Sequence, residues 1–278
     1  LRGGFWGTQY YDEQERQMVL DVIETGKPFR WYGPGKPPDK VAAFEKEFAA
    51  RMQTKYALAV TSGTTALQCA MAAFGIGPGD EVILPAWTWY SCFHAVVLAG
   101  ALPVCAEIDE TFNLDPDDIE RHITPATKLI MAVHLQGNPA DLDRILAVGR
   151  KHKIPVMEDA AQSVGASYKG RPLGSIGALG IYSLQANKTI TAGEGGAVVT
   201  NDPLLFERAA RFHDIGTLRD PFLRKIGEPR GQAFFGTNFR MSEFTGGVLL
   251  AQVRKLDRIV NDVRTLSLIH ISEPTRPY

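Results

Sequence analysis

From Lys55 onward, short β-rich apolar runs alternate with segments of helical periodicity, and this alternation restricts the chain to an α/β fold with parallel strands joined by crossover helices. Tyr56-Ala-Leu-Ala-Val60 reads as a strand. Ala66, Leu67, Ala70, Met71 and Phe74 then recur at helical spacing until Gly75 supplies a stop. The strand series continues with Glu81-Val-Ile-Leu84, Leu102-Pro-Val-Cys105, Lys128-Leu-Ile-Met-Ala-Val133 and Ile154-Pro-Val-Met157, and helical patterns lie near 115–122 and 141–152. Leu179-Gly-Ile-Tyr182 and Gly196-Ala-Val-Val-Thr200 are too close for a crossover, which takes about a dozen residues, so part of the sheet is predicted to be antiparallel or connected differently.

Two helical faces precede the sheet, one of Met18, Val19, Val22 and Ile23 and one of Val41, Phe44, Phe48 and Met52. Ser242 to Thr265 reads as one long helix with Phe244, Val248, Leu249, Val253, Leu256 and Val260 on its apolar side. Residues 266–278 show neither periodicity nor caps, resemble translated sequencing-adapter read-through and are read as a non-native tail.

With 278 residues, 45% of them hydrophobic, the chain can bury a full core. A net charge of -1 gives no electrostatic reason to expect nucleic acid or an anionic membrane as partner, and small molecules become the favoured ligands. The longest nearly apolar stretch, Ala95 to Ala106, falls short of the roughly 20 residues that a spanning helix needs. Cys69, Cys92 and Cys105 form no CxxC pair and cannot all pair internally, which suits buried thiols in the cytoplasm. No metal site and no signal peptide are expected.

Lys188 stands in Ser183-Leu-Gln-Ala-Asn-Lys-Thr-Ile-Thr-Ala-Gly-Glu-Gly-Gly196, where an amine among small and glycine residues can carry carbonyl chemistry. Glycines 193, 195 and 196 are read as permitting backbone turns beside it. Thr61-Ser-Gly-Thr-Thr-Ala-Leu67 lies at a strand-to-helix junction that suits a phosphate, although small hydroxylated residues are also ordinary N-caps. Glu158, Asp159 and Gln162 are placed just beyond an apolar strand, where an acid can meet a cofactor cation or simply cap a turn. Trp87 and Trp89 suit either core packing or stacking on a flat heterocycle. His134 suits a ligand contact or a structural imidazole, and Arg30 a substrate anion or a surface acid.

Together the Ser-Gly-Thr, Glu-Asp-Ala-Ala-Gln and Lys-Thr-Ile-Thr-Ala-Gly-Glu-Gly-Gly segments resemble the DegT-type (DegT/StrS) sugar aminotransferase family of pyridoxal-phosphate enzymes over roughly residues 5–262. The resemblance implies a type I pyridoxal-phosphate transferase fold, with a mainly parallel sheet flanked by helices in a large domain over 1–240. A helix over 241–265 would then lead toward a small domain that is largely missing. It further implies that Lys188 forms the Schiff base with pyridoxal 5'-phosphate, Asp159 pairs with the pyridine nitrogen, Gln162 bonds the ring hydroxyl and Trp89 stacks on the ring. Gly63, Thr64 and Ser183 would hold the phosphate, and Asn238 would reach it across a homodimer interface, although Gly236 and Asn238 are also common turn residues.

Family members with histidine in place of the lysine are dehydratases, so Lys188 favours transamination. The implied activity moves an amino group from glutamate or glutamine to a nucleotide-linked keto-sugar or a keto-cyclitol. The Phe29-Arg-Trp-Tyr-Gly-Pro-Gly35 segment is similar to that of cyclitol and antibiotic-precursor members. Rival readings are a non-catalytic regulatory protein that keeps the fold and an incompetent fragment.

Overall fold

A computed structural model describes residues 6–31 and 39–272; the end of the 29–35 segment and the last six residues of the expected tail lie outside them. Its nine strands are β1 (Tyr56–Val60), β2 (Glu81–Pro85), β3 (Leu102–Ala106), β4 (Thr127–Val133), β5 (Val156–Asp159), β6 (Ser167–Tyr168), β7 (Arg171–Pro172), β8 (Leu179–Ser183) and β9 (Gly196–Thr200). The first helices are α1 (Trp6–Gln9), α2 (Glu13–Thr25), α3 (Lys40–Arg51), α4 (Gly63–Phe74), α5 (Ser91–Leu98) and α6 (Pro116–Ile119). They are followed by α7 (Leu142–His152), α8 (Pro203–His213), α9 (Asp220–Ile226), α10 (Glu243–Arg254) and α11 (Leu256–Ser272).

Seven strands form one sheet in the order β1-β9-β8-β5-β4-β2-β3. β9 alone runs against its neighbours β1 and β8, while the other pairs are parallel. This is the antiparallel exception expected from the short β8–β9 connection. Strand side chains alternate between the two faces. Leu58, Val60, Leu129, Met131 and Val198 pack against α4, α5 and α8, whereas Ala57, Ala59, Ala197 and Val199 pack against α3, α10 and α11. At the β3 end, Ile83, Ile130 and Ala132 pack against α6 and α7. The result is three layers with helices on both faces, as mostly parallel sheets require.

The ends of the elements have local causes. Ser62 caps α4 by accepting the Thr65 N–H at 3.1 Å, and Gly75 stops that helix at φ 74°. β5 covers 156–159 rather than 154–157, because the Ile154 N–H is already bonded to the Gly149 carbonyl at the end of α7. The single helix expected over 242–265 is instead two, separated at Lys255. That lysine is buried and its Nζ is drawn onto Glu15 at 2.7 and 2.9 Å and onto the Tyr10 carbonyl at 2.9 Å. Helix α11 runs on through residues 266–272, which were expected to lack regular structure. Phe244, assigned to the apolar side, is 36% exposed. Cys69 and Cys92 are buried, Cys105 is exposed, and all three are free. No helix among the described residues is long and apolar enough to cross a membrane.

His213 at the end of α8 is fully buried, its Nδ1–H donates to the Ala210 carbonyl, and its Nε2 has no partner among the described residues. Burial lowers its pKa to about 4, so the folded protein holds it neutral where an unfolded chain protonates it. Stability is therefore expected to fall as pH drops from about 6.5 to about 4, by on the order of 3 kcal/mol from this residue. Urea unfolding of wild type and His213→Asn across that window checks it; equal pH slopes in the two proteins would refute it.

Candidate active site

The carboxyl ends of the parallel strands place several chain segments on one edge of the sheet. β1 ends at Val60 beside Gly196, and Ser183 at the end of β8 pairs with the same glycine, while β5 ends two strands away at Asp159. Helix α4 begins there, and the Gly63 and Thr64 N–H groups have no acceptor among the described residues. A cavity of about 800 Å³ opens at this edge. Gly63, Thr64, Trp89, Asp159, Gln162, Ser183 and Lys188 all line it, so the fold gathers seven of the eight expected site residues from segments far apart in sequence.

Glu158 and Asp159 are the last two residues of β5, inside the strand rather than beyond it, and strand alternation sends them to opposite faces. Glu158 is fully buried and fully engaged. Its Oε2 accepts from Gly174 N–H at 2.7 Å and His134 Nε2 at 2.9 Å, and its Oε1 accepts from the Ile176 and Gly177 N–H groups at 2.6 Å each. Burial by itself favours the neutral acid, but these donors together hold the carboxyl below its usual range. Asp159 has two protein donors, the Ala161 N–H at 2.9 Å on Oδ1 and the Cys92 thiol at 3.1 Å on Oδ2. Burial raises its pKa, and the nearby Lys188 opposes this only in part. An under-satisfied buried carboxylate facing a cavity is suited to an arriving cation, whereas Glu158 is a structural acid.

Lys188 lies on the β8–β9 loop, which is a continuation of the ladder. Leu184 and Ala186 donate to the Gly195 and Gly193 carbonyls at 2.8 and 2.9 Å, and the Thr191 hydroxyl closes the loop onto the Leu184 carbonyl at 2.9 Å. α1 packs on its outer side, since a Cβ on Gly7 would lie 2.9 Å from the Lys188 carbonyl oxygen. The Lys188 amine has no hydrogen-bond or ion-pair partner among the described residues, and burial holds its pKa below the ordinary lysine range, partly opposed by Asp159. Burial thus shifts the balance toward the neutral amine.

The three loop glycines do not share one reason. Gly193 alone takes positive φ, at 84°. Gly196 instead admits the start of α4, because a Cβ there would lie 2.2 Å from the Ser62 carbonyl oxygen. Gly63 has a similar role: its Cβ would meet that of Ser183 at 2.7 Å. Close approach of three segments, more than turn chemistry, explains these two positions.

The Gln162 Oε1 accepts the Gln136 N–H at 2.7 Å, which leaves the side-chain NH₂ as the donor available to the cavity. Gln136 takes left-handed φ at 53° to present that N–H. Thr64 shares a 3.0 Å hydrogen bond with Ser91. Trp89 is 57% exposed and lies 4.4 Å from the Tyr90 ring, so it lines the cavity and is not a core side chain; Trp87 is exposed and does not line it.

The remaining candidates resolve differently. His134 is fully buried, receives the Ala140 N–H on Nδ1 at 3.1 Å and therefore presents Nε2–H to Glu158, a structural imidazole with no access to the cavity. Arg30 does not line this cavity, and the acid it meets is not a surface one: it forms a bidentate pair with buried Glu45 at 3.0 Å. Asn238 is exposed and does not line this cavity; it stands on a segment tied to residues 212–215 through Thr237 and Phe239. Cys92 and Gln136 went unrecognised in the sequence, because a lone cysteine and a lone glutamine carry no spacing signal. Among the described residues, no group of three His, Cys, Asp or Glu side chains could hold a metal ion.

Comparison with known proteins places this geometry. The DegT/DnrJ/EryC1/StrS aminotransferase family matches residues 9–271. A 3-amino-5-hydroxybenzoate synthase of Amycolatopsis mediterranei is 39% identical over 252 residues, covering 89% of this chain and 62% of that protein. A GDP-perosamine synthase of Caulobacter vibrioides is 42% identical over 252 residues, covering 88% of this chain and 63% of that protein. The chain thus spans less than two thirds of the length of either relative. The crystal structure of DesV of S. venezuelae in complex with a ketimine intermediate superposes with a TM-score of 0.83 at 35% identity, covering 94% of this chain and 66% of that one. With the family model matched over residues 9–271 of this chain and the sheet, cavity and lysine loop in place, this chain belongs to the DegT/DnrJ/EryC1/StrS aminotransferase family.

Proposed function

We propose that this chain carries the cofactor-binding part of a pyridoxal-phosphate-dependent aminotransferase that delivers an amino group from glutamate or glutamine to a nucleotide-linked keto-sugar or a keto-cyclitol. The observation that carries the reading is a desolvated, unpartnered Lys188 amine sharing one cavity with the under-satisfied buried carboxyl of Asp159. The residues fit the cofactor. The open N-terminus of α4 at Gly63 and Thr64, with the Ser183 hydroxyl beside it, suits the phosphate. Gln162 offers an NH₂ to the ring hydroxyl, Trp89 offers an indole face, and Asp159 offers charge to the ring nitrogen.

When bound, pyridoxal phosphate supplies an aldehyde that condenses with amines and a ring that withdraws electron density. Lys188 Nζ would hold the cofactor, and its amine would carry a proton to and from the reacting carbon, general acid–base work typically worth about 10²–10⁴-fold. Both tasks need a neutral amine at working pH, which the burial of Lys188 favours. Asp159 would set its carboxylate against the ring nitrogen and so favour that nitrogen's protonated form. The substrate classes follow from the similarity to the aminobenzoate and perosamine synthases. Asn238, exposed on its anchored segment, is proposed to complete the phosphate site of a second copy in a homodimer. Three free thiols suit the cytoplasm.

Incubation with pyridoxal phosphate, borohydride reduction and peptide mapping is the direct test. The label is expected on Lys188 and absent from Lys188→Ala. Labelling elsewhere, or equal labelling of the variant, would sink the assignment.

A further inference from the structure

The Asp159 carboxylate can accept about four hydrogen bonds, and the protein fills two of these places. One is a backbone N–H, whose strength no side chain can adjust. The other is the Cys92 thiol, fully buried in the first turn of α5, with its Sγ 3.1 Å from Oδ2. Behind it the Thr88 hydroxyl lies 3.3 Å from the same sulfur. The single thiol proton can serve only one of these contacts. A carboxylate cannot donate, so the proton goes to Oδ2 and the Thr88 O–H must donate to sulfur. The row therefore runs in one direction, from Thr88 O–H to Cys92 S–H to Asp159 Oδ2.

We propose that Cys92, backed by Thr88, is a positioning residue that sets both the orientation and the charge state of the Asp159 carboxyl. A thiol is a weaker donor than a hydroxyl. It holds Oδ2 in place while withdrawing little charge from it, so the carboxylate keeps its attraction for a cation in the cavity. A hydroxyl at the same place would stabilise the anion more and weaken that attraction, and a methyl would leave Oδ2 unheld. Burial disfavours a thiolate at Cys92, and Asp159 beside it adds to that effect, so the thiol remains a donor and does not compete as an anion. The titratable groups facing Asp159 from other elements are Lys188 on the β8–β9 loop and His134 at the end of β4. His134 keeps its own hydrogen bonds to Glu158 and the Ala140 N–H, and neither it nor Lys188 lies on α5, so a change at Cys92 acts on Asp159 through the thiol contact.

The inference rests on the role proposed for Asp159, but its test does not require cofactor or activity. The carboxyl titration of Asp159 is followed by ¹³C NMR in cofactor-free protein labelled at aspartate, with Asp159→Asn identifying the resonance. The midpoint is expected to be lowest in Cys92→Ser, intermediate in wild type and highest in Cys92→Ala, with steps of about half a pH unit or more. Thr88→Val, which removes the donor behind the sulfur, is expected to move it in the alanine direction. A residue that merely fills space would shift serine and alanine alike, so equal midpoints, or a serine midpoint above that of alanine, overturn the proposal. If Cys92→Ala does not fold, the order of serine, wild type and Thr88→Val decides it in the same way. Failure of pyridoxal phosphate to label Lys188 would refute the proposed function and leave this titration order intact.

Discussion

Asp159→Asn is expected to leave the protein folded and able to take up pyridoxal phosphate, while kcat for transamination falls by at least about a hundredfold. The amide is nearly isosteric with the carboxyl, and its oxygen can still accept the Ala161 N–H that Oδ1 accepts now. What it cannot supply is negative charge opposite a protonated ring nitrogen, the role proposed for this acid, which is buried with only two donors. The loss should appear in kcat rather than in KM for the amino donor, because the carboxyl acts on the electron demand of the reaction and not on donor binding. Steady-state kinetics, with cofactor content measured by absorbance, checks this. A raised KM with unchanged kcat would show that Asp159 only shapes the pocket.

Glu158→Gln, one residue away, is expected to do the opposite. It should cost roughly 3–5 kcal/mol of stability, because four donors converge on two carboxylate oxygens and the new NH₂ must face two of them. Those donors tie β5 to the 174–177 segment and to His134 after β4, so the damage should spread to the strand end that carries Asp159. Chemical denaturation of the purified variant measures it. A loss below about 1 kcal/mol would mean that the four bonds are readily replaced by water. Taken together, the two substitutions separate adjacent acids of the same strand into one that serves the cavity and one that holds the sheet.

The distinction was invisible in one dimension. Glu158 and Asp159 read alike as acids at a strand end, and what separates them is the side of β5 each occupies and the number of donors waiting there. The same holds for the glycines near Lys188. Their density marks a special loop, yet Gly196 is required by the Ser62 carbonyl, more than 130 positions earlier in the chain. Arg30 and His134 looked equally eligible for ligand contact, and only their buried partners Glu45 and Glu158 removed them from the site.

By itself the sequence determined the seven strands of the main sheet, the helices around 63–74 and 142–152, the absence of a crossover between β8 and β9, and which residues were candidates for chemistry. These are local properties: period-2 and period-3.6 burial, the minimum length of a crossover and the residue types that carry amines, acids and open helix ends. The tertiary structure decided which groups face one another. Packing lowers the pKa of Lys188, leaves Asp159 with two donors and brings Cys92 onto its Oδ2. It also divides the C-terminal helix at Lys255, because the carboxylate that attracts this lysine comes from α2. Desolvation and long-range contact have no sequence period, so they become visible only once the chain has packed.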